Sequence, residues 1–413
     1  MTELPAEAAR ERAIARRVKD HVVGSRHGFF AVVHPGFEET ARQEMIELGI
    51  ESPELQGAGG IGFAGRLDDA WRVNLGAGTV SRLLLRLCRF KATGFGEFRA
   101  RLAAFPWELY IADRAEIRFA VSAARSRLWH EGKLEEEAAK SIRVRMGAHG
   151  RQVGFSKTAE AEAPRSQSVF IRLDDNRCQV SLDSSGELLY RRGRGKFTEG
   201  APLRETLACS ILRAAAVTDY KIVLDPFCGS GTFALEAGAI FSGRPVNLDR
   251  SFAFQEWPAF KAARFQHAKA DLERVFKEKA PAGARKIYCS DIDPRAVATA
   301  GHNMEQSGLA PLVEIDQADF FHLHPPAGDP ADVLLVMNPP YGARQGAGGD
   351  IASIYRRIGD RVRRDYAGCG YAIVVPGLEL EKALGLPHER KILFRNGGIP
   401  VALLIHHPLK SFN

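Results

Sequence analysis

The chain has 413 residues, 45% of them hydrophobic and 26% charged, with 57 Lys and Arg against 50 Asp and Glu. These values predict a globular protein of two or three domains, and no apolar run approaches the ~20 residues of a membrane-spanning helix. Six cysteines (Cys88, Cys178, Cys209, Cys228, Cys289, Cys369) make no C-x-x-C pair and the first 25 residues lack an apolar signal core. Neither a zinc site, a disulfide framework nor secretion is therefore expected, and a reducing cytoplasm is.

In chain order, residues 1–25 read as a charged helix or disordered arm, solvated in either case. Residues 26–92 form a small α+β, ferredoxin-like module, with strands at 29–33, 61–63 and 81–90 and helices at 36–47 and 67–75. A second α+β module spans 93–190. Its helices fall at 98–105 and 133–146, its strands at 116–122, 169–173 and 178–182, and the last two are joined around Asp174-Asp175-Asn176. Arg125, Arg127, Lys133, Arg143 and Arg145 cluster on this module. Residues 1–200 hold 32 Lys and Arg against 27 Asp and Glu, and the remainder 25 against 23. The positive excess thus sits mainly on the half that would grip a polyanion. Residues 191–200 read as a basic linker in which Arg191, Arg192, Arg194 and Lys196 alternate with glycines beside Tyr190 and Phe197, a mixture suited to single-stranded RNA.

Residues 201–413 carry the chemistry. The strand at 221–225 runs into Asp225-Pro226-Phe227-Cys228-Gly229-Ser230-Gly231-Thr232 and then a helix at 233–240. Strand, glycine turn and helix open a doubly wound sheet, whose ligands sit beyond the carboxyl ends of the strands. The turn lacks the third glycine of a dinucleotide fingerprint and the Gly-Lys-Ser/Thr of a phosphate loop. Asp225 would repel a phosphate and accept from an ammonium, which favours a cofactor with an amino-acid moiety such as S-adenosylmethionine. A strand at 286–291 ends in Asp291-Ile292, before a helix at 294–307. Asp291, or Asp293 two residues on, can take the hydroxyls of a ribose. The usual gap of about 20 residues to this acid is stretched here by an insertion at 245–279. That insertion carries Phe252, Phe254, Trp257, Phe260 and Phe265, and helical spacing from Trp257 onward favours a packed core face over a base-stacking platform. After a strand at 312–315, Asp319 and Phe320 offer an acid and a ring to an adenine. The strand at 333–337 ends in Asn338-Pro339-Pro340-Tyr341, where the prolines force a stiff extended turn. That turn presents an amide, carbonyl groups and a ring to a planar substrate bearing an NH2 group. Strands at 371–375, 391–394 and 401–406 complete the sheet, the last two as a hairpin around Asn396-Gly397-Gly398. His406 and His407 read as structural.

Taken together, Asp225 to Thr232, Ser290 to Pro294, Ala318-Asp319-Phe320 and Asn338 to Tyr341 resemble the motifs of class I S-adenosylmethionine-dependent methyltransferases acting on amino groups. Arg191-Arg192-Gly193, Ala201 to Ala208, Arg250 to Phe254 with Trp257, Leu128 to Lys133 and Phe29 to Glu39 resemble, more narrowly, the bacterial THUMP-domain methyltransferases that make N2-methylguanosine in large-subunit rRNA. The resemblance implies an α/β fold: a Rossmann-like, mostly parallel sheet with a terminal antiparallel hairpin, preceded by an α+β THUMP-type RNA-binding module at 93–190. It implies S-adenosylmethionine on Asp225 to Thr232, Asp291, Ile292, Asp319 and Phe320, with Asn338, Pro339, Pro340 and Tyr341 catalytic. RNA is the expected partner, rRNA before tRNA, with no membrane and no metal, and the chain acts as a monomer or weak dimer. Asn-Pro-Pro-Tyr does not itself distinguish guanine-N2 from adenine-N6, on RNA or DNA, or from a protein amide, and a catalytically silent RNA-binding module stays open.

Overall fold

The computed structural model describes residues 4–156, 166–193, 195–197, 203–341 and 351–408. Arg194 and residues 198–200 of the expected linker lie outside these, as do Ala201 and Pro202.

The first half contains α1 (Leu4–Val18), β1 (His27–Val33), α2 (Glu38–Glu47), β2 (Glu54–Leu55), β3 (Gly60–Gly65), α3 (Leu67–Gly76) and β4 (Val80–Lys91). These are followed by α4 (Phe95–Ala104), β5 (Ala115–Ala124), α5 (Glu131–Ala148), β6 (Val153–Phe155), β7 (Ser166–Asp174) and β8 (Arg177–Asp183). All eight strands join one sheet in the order β2-β3-β1-β4-β8-β7-β5-β6. The boundary expected near residue 92 falls at the end of β4, yet the sheet runs through it, because β4 pairs with β1 on one side and β8 on the other. The N-terminal arm is likewise not free in solvent. Ile14, Val18 and Val22 are buried in the core of this half, and Arg17 donates to buried Glu108 at 2.8 Å. The basic cluster expected on the second module is largely committed internally. Arg145 makes a two-pronged contact to Glu108 at 2.9 and 2.7 Å, Lys133 pairs with Glu136 and Glu137, Arg125 pairs with Asp174, and Arg143 lies over the Phe155 ring.

The second half comprises α6 (Glu205–Ala214), β9 (Ile222–Asp225), α7 (Thr232–Phe241), α8 (Ala262–Glu278), β10 (Lys286–Asp291), α9 (Pro294–Ser307) and β11 (Val313–Gln317). After these come β12 (Val333–Met337), α10 (Ile351–Asp365), β13 (Gly370–Val375), α11 (Gly377–Leu384), β14 (Arg390–Asn396) and β15 (Ile399–His406). The seven strands run β11-β10-β9-β12-β13-β15-β14, parallel except for β15, which is antiparallel to both β13 and β14. Strands β12 and β13 are buried throughout, as strands covered on both faces must be. The chain winds outward in both directions from β9 and β12, so the switch point of the sheet lies between the ends of those two strands.

The insertion between α7 and β10 explains how the halves hold together. Its rings enter the core of the first half: Trp71 of α3 meets Phe254, Phe260 and Phe265 at centroid distances of 6.0, 6.2 and 5.7 Å. A second contact joins Phe37 to Phe394 of β14 at 5.2 Å, where Gly36 approaches so closely that a Cβ there would lie 2.5 Å from the Leu393 carbonyl oxygen. The linker is also structured. Arg192 is buried, donates to both oxygens of buried Glu236 at 3.1 and 2.8 Å, and reaches the Gly78 carbonyl at 2.8 Å. A cation so enclosed cannot meet a phosphate.

Candidate active site

Four strands of the second sheet end on the same edge, and each delivers a polar side chain there. At the end of β9 the Asp225 carboxylate is completely buried. Its Oδ1 accepts from the Phe227 N–H at 3.3 Å, while Oδ2 is buried with no hydrogen-bond partner. Burial pushes this carboxyl up to about 8; the Phe227 N–H opposes the rise and the charge of Asp291 adds to it. Leaving a buried acceptor unpaired costs about 1–3 kcal/mol. A cationic donor is what this acid lacks.

The glycine turn after Asp225 divides its labour. Gly229 (φ 52°) and Gly231 (φ 79°) are both left-handed. A Cβ on Gly229 would meet nothing within 4 Å, so that backbone faces open space. A Cβ on Gly231 would lie 2.9 Å from Met304 Cε, so the packing of α7 against α9 requires a glycine there. Cys228 and Thr232 are buried, and the Ser230 hydroxyl is buried without a partner.

Asp291, at the tip of β10, accepts from the Gly229 N–H through Oδ2 and from the Asp293 N–H through Oδ1, both at 3.0 Å. It thereby fixes the glycine turn while remaining half-buried. Asp293 is occupied differently: it caps α9 by accepting from the Arg295 N–H and pairs with the Arg295 guanidinium. Between them Ile292 is 67% exposed, an apolar side chain beside the acid with nothing covering it. Asp319 caps the short turn at 320–322 through the Phe321 N–H at 2.9 Å. Phe320 departs from expectation. It is 1% exposed, stacked on Tyr366 at 5.8 Å and tilted against Phe227 at 5.5 Å, with Arg361 over its ring. Its faces belong to the core and are not open to an adenine.

Beyond β12, Asn338 is half-buried and its Oδ1 is buried with no hydrogen-bond partner among the described residues. Pro339 is buried, Pro340 exposed and Tyr341 half-buried. The Tyr341 hydroxyl accepts from Asn396 Nδ2 at the end of β14, which ties the turn to the terminal hairpin. Asp225 and Asn338 therefore follow neighbouring strands on either side of the switch point, each with an unpartnered buried oxygen.

Three positioning residues escape a reading of the sequence. Asn303 of α9 donates to the Ser230 and Phe197 carbonyls at 2.9 and 3.0 Å and accepts from the Phe197 N–H at 2.9 Å. Lys196 reaches Thr232 Oγ1 at 2.6 Å and Glu205 at 3.0 Å. The linker is thus fastened to the glycine turn. The third, Asn396, reads in sequence only as part of a hairpin turn. Among the described residues no cluster of three or more His, Cys, Asp or Glu could hold a metal, and no helix is long and apolar enough to cross a membrane.

Known proteins resemble this chain along most of its length. Residues 192–404 match the model of the RMKL-like methyltransferase domain, and residues 28–84 that of the RlmL ferredoxin-like domain. A Synechocystis sp. protein, slr0064, described provisionally as an RNA methyltransferase, is 29% identical over 91% of this chain and 95% of its own length. Ribosomal RNA large subunit methyltransferase K/L of Allochromatium vinosum is 31% identical over 92% of this chain, which spans only 51% of that longer protein. The structure of SMU.472, provisionally a methyltransferase and solved with SAH, superposes with a TM-score of 0.82 at 22% identity, covering 94% of this chain and 99% of its own. The strand order, the glycine turn and the match over more than half the sequence lead to one assignment: this chain belongs to the RMKL-like methyltransferase domain family.

Proposed function

We propose that this enzyme methylates the exocyclic N2 of a guanine in large-subunit rRNA, in the cytoplasm, with S-adenosylmethionine as donor. The observation that carries the reading is the buried, unpartnered Oδ1 of Asn338 beside the switch point of the sheet. The names of the K/L relatives support the choice of rRNA.

The cofactor supplies an electrophilic methyl group on a sulfonium. The residues present fit it: Asp225 Oδ2 would take the ammonium, the open side of Gly229 admits close approach, Asp291 would take the ribose hydroxyls, and Ile292 offers an apolar contact to the adenine. Asp291 is preferred to Asp293 because the latter is spent on its helix cap. Asn338 would accept one N–H of the substrate amine through Oδ1, and the Pro339 carbonyl the other. Two acceptors draw the nitrogen toward a pyramidal geometry, which frees a lone pair otherwise delocalised into the purine. They strengthen as positive charge grows on nitrogen, so they favour the transition state over the ground state. The Tyr341 ring would stack on a base turned out of its helix, held in place by Asn396.

Labelled S-adenosylmethionine incubated with large-subunit rRNA should yield N2-methylguanosine on digestion; N6-methyladenosine would refute the proposal. Asn338→Ala should keep cofactor affinity while single-turnover rate falls by ~10²–10³, as when one preorganised electrostatic partner is lost. Full activity in that variant would remove the amine-alignment role.

A further inference from the structure

The eight-stranded sheet has two unlike faces. One is buried against α2, α3 and α5. Across the other runs a series of cations fixed by strand register. Arg86 of β4 lies opposite Ser181 of β8, which faces Phe170 of β7; the next row is Arg89, Gln179 and Arg172. Two residues before Phe170, Ser168 is paired with Arg118 of β5.

Arg86 and Arg89 are three apart, and in a regular strand they would point to opposite faces. They share a face because the register of β4 against β8 shifts between Arg86 and Cys88. An extra residue of this kind is a device for re-aiming side chains. The bulge therefore gathers cations that a plain strand would disperse.

These cations are poorly compensated. Among the described residues no carboxylate lies within ion-pair distance of Arg86, Arg89, Arg118 or Arg177, while Arg172 reaches Asp174 only at 3.6 Å. Burial lowers the Arg86 guanidinium to about 10, and the nearby charges of Arg172 and Arg89 press the same way. Such crowding of like charge destabilises the free protein and is relieved by an anion. A ring holds part of the array in place: Arg86 lies over Phe30 at 4.2 Å, whereas Arg82, over Phe170 at 5.3 Å, is spent on buried Asp183 and the Gly186 carbonyl. A guanidinium held on a ring, as that of Arg86 is, keeps outward N–H donors with little entropy left to lose.

We infer that this sheet face, centred on Arg86, Arg89, Arg118 and Arg172, is the surface that grips the phosphate backbone of the RNA substrate. The inference rests on the RNA reading above and says where the RNA is held. Strands lie about 4.8 Å apart, so the step from β4 across β8 and β7 to β5 spans roughly 15 Å of sheet surface. A broad cationic sheet face suits the backbone of folded RNA read by shape. A lipid surface is disfavoured, because the row is built of guanidinium groups and lacks protruding apolar anchors.

The test uses the full chain with Arg89 and Arg172 replaced together, once by Ala and once by Glu, because both side chains are exposed. Binding to a transcribed large-subunit rRNA fragment is followed against salt. The Ala pair should lower affinity ~10- to 100-fold at 0.1 M salt and flatten the log–log salt slope by about one per contact removed. The Glu pair should lose more, and an Arg→Lys pair should regain most of the loss. Melting temperature and cofactor affinity should stay at wild-type values. Unchanged RNA affinity in the Glu pair overturns the inference, as does a loss that tracks a falling melting temperature. So does a Glu pair that releases phosphatidylserine vesicles yet keeps RNA. If the wild-type protein neither binds nor methylates rRNA, the functional reading fails; if it does both and the variants match it, only the surface fails.

Discussion

Asp225→Asn should make the enzyme more stable and less able to bind its cofactor, with a pH dependence that identifies the cause. The wild-type carboxyl is raised from 3.8 to about 8, chiefly by burial. At pH 7 the folded protein holds a proton that the unfolded chain has released, so folding is penalised. With the folded value raised, the penalty is absent below about pH 4, grows as pH rises, and levels off above about pH 8. At 1.36 kcal/mol per pKa unit it reaches about 4 kcal/mol by pH 7. An amide cannot ionise and escapes it, while its oxygen can still accept from the Phe227 N–H. The stability gap between variant and wild type should therefore widen by about 2–3 kcal/mol from pH 5 to pH 7, then flatten beyond pH 8. Chemical denaturation of the cofactor-free proteins at five pH values measures this directly. Calorimetry supplies the other half. If Asp225 meets an ammonium, wild-type binding near pH 7 expels the proton, so the heat should depend on the buffer and affinity should rise between pH 6 and 8. The variant should bind weakly and show no proton release from this site. A gap that stays constant from pH 5 to pH 9, or a variant that binds as well as wild type, would refute the reasoning.

Two further expectations separate neighbours that look alike in sequence. Asp291→Ala should weaken S-adenosylmethionine binding by ~1.5–3 kcal/mol, the range for hydrogen bonds to a charged group, whereas Asp293→Ala should chiefly cost about 1 kcal/mol of stability as a lost helix cap. Calorimetry and melting curves on both would show a reversed order if Asp293 holds the ribose. A fragment starting at Glu199 should fold poorly, because it leaves Glu236 buried without Arg192, a loss of about 3–5 kcal/mol, and strips the insertion rings of their core. A fragment with a sharp unfolding transition and wild-type cofactor affinity would contradict that.

Periodicity and turn chemistry made most of the second half legible. The strand at 286–291 and the helix at 294–307 fall where their patterns end, because Asp293 and Pro294 mark a helix start unambiguously. What sequence could not supply was partnership. The linker cations look solvated until Glu236, distant in sequence, is seen facing Arg192. Phe320 looks available until Tyr366 and Phe227 are seen on its faces. The arm at 1–25 is charged enough to read as free, yet a narrow stripe of Ile14, Val18 and Val22 suffices to dock it. Conversely, Arg86 and Arg89 look like opposite-facing residues because a bulge leaves no mark in the residue types.

The aromatic contact between α3 and the insertion bears on how a target nucleotide is selected. Domains joined by a slender tether can close around a substrate; these two share a core, so closing one on the other would have to part buried aromatic rings. On the RNA reading proposed above, the shared core would set the span from the cationic sheet to the turn after β12, as a gauge does. Deformation would then fall largely to the RNA, which would give up a stacked base at a cost of a few kcal/mol. Nucleotides at the right distance from a rigid, well-folded landmark would be modified, and the same sequence in a differently folded RNA would not reach.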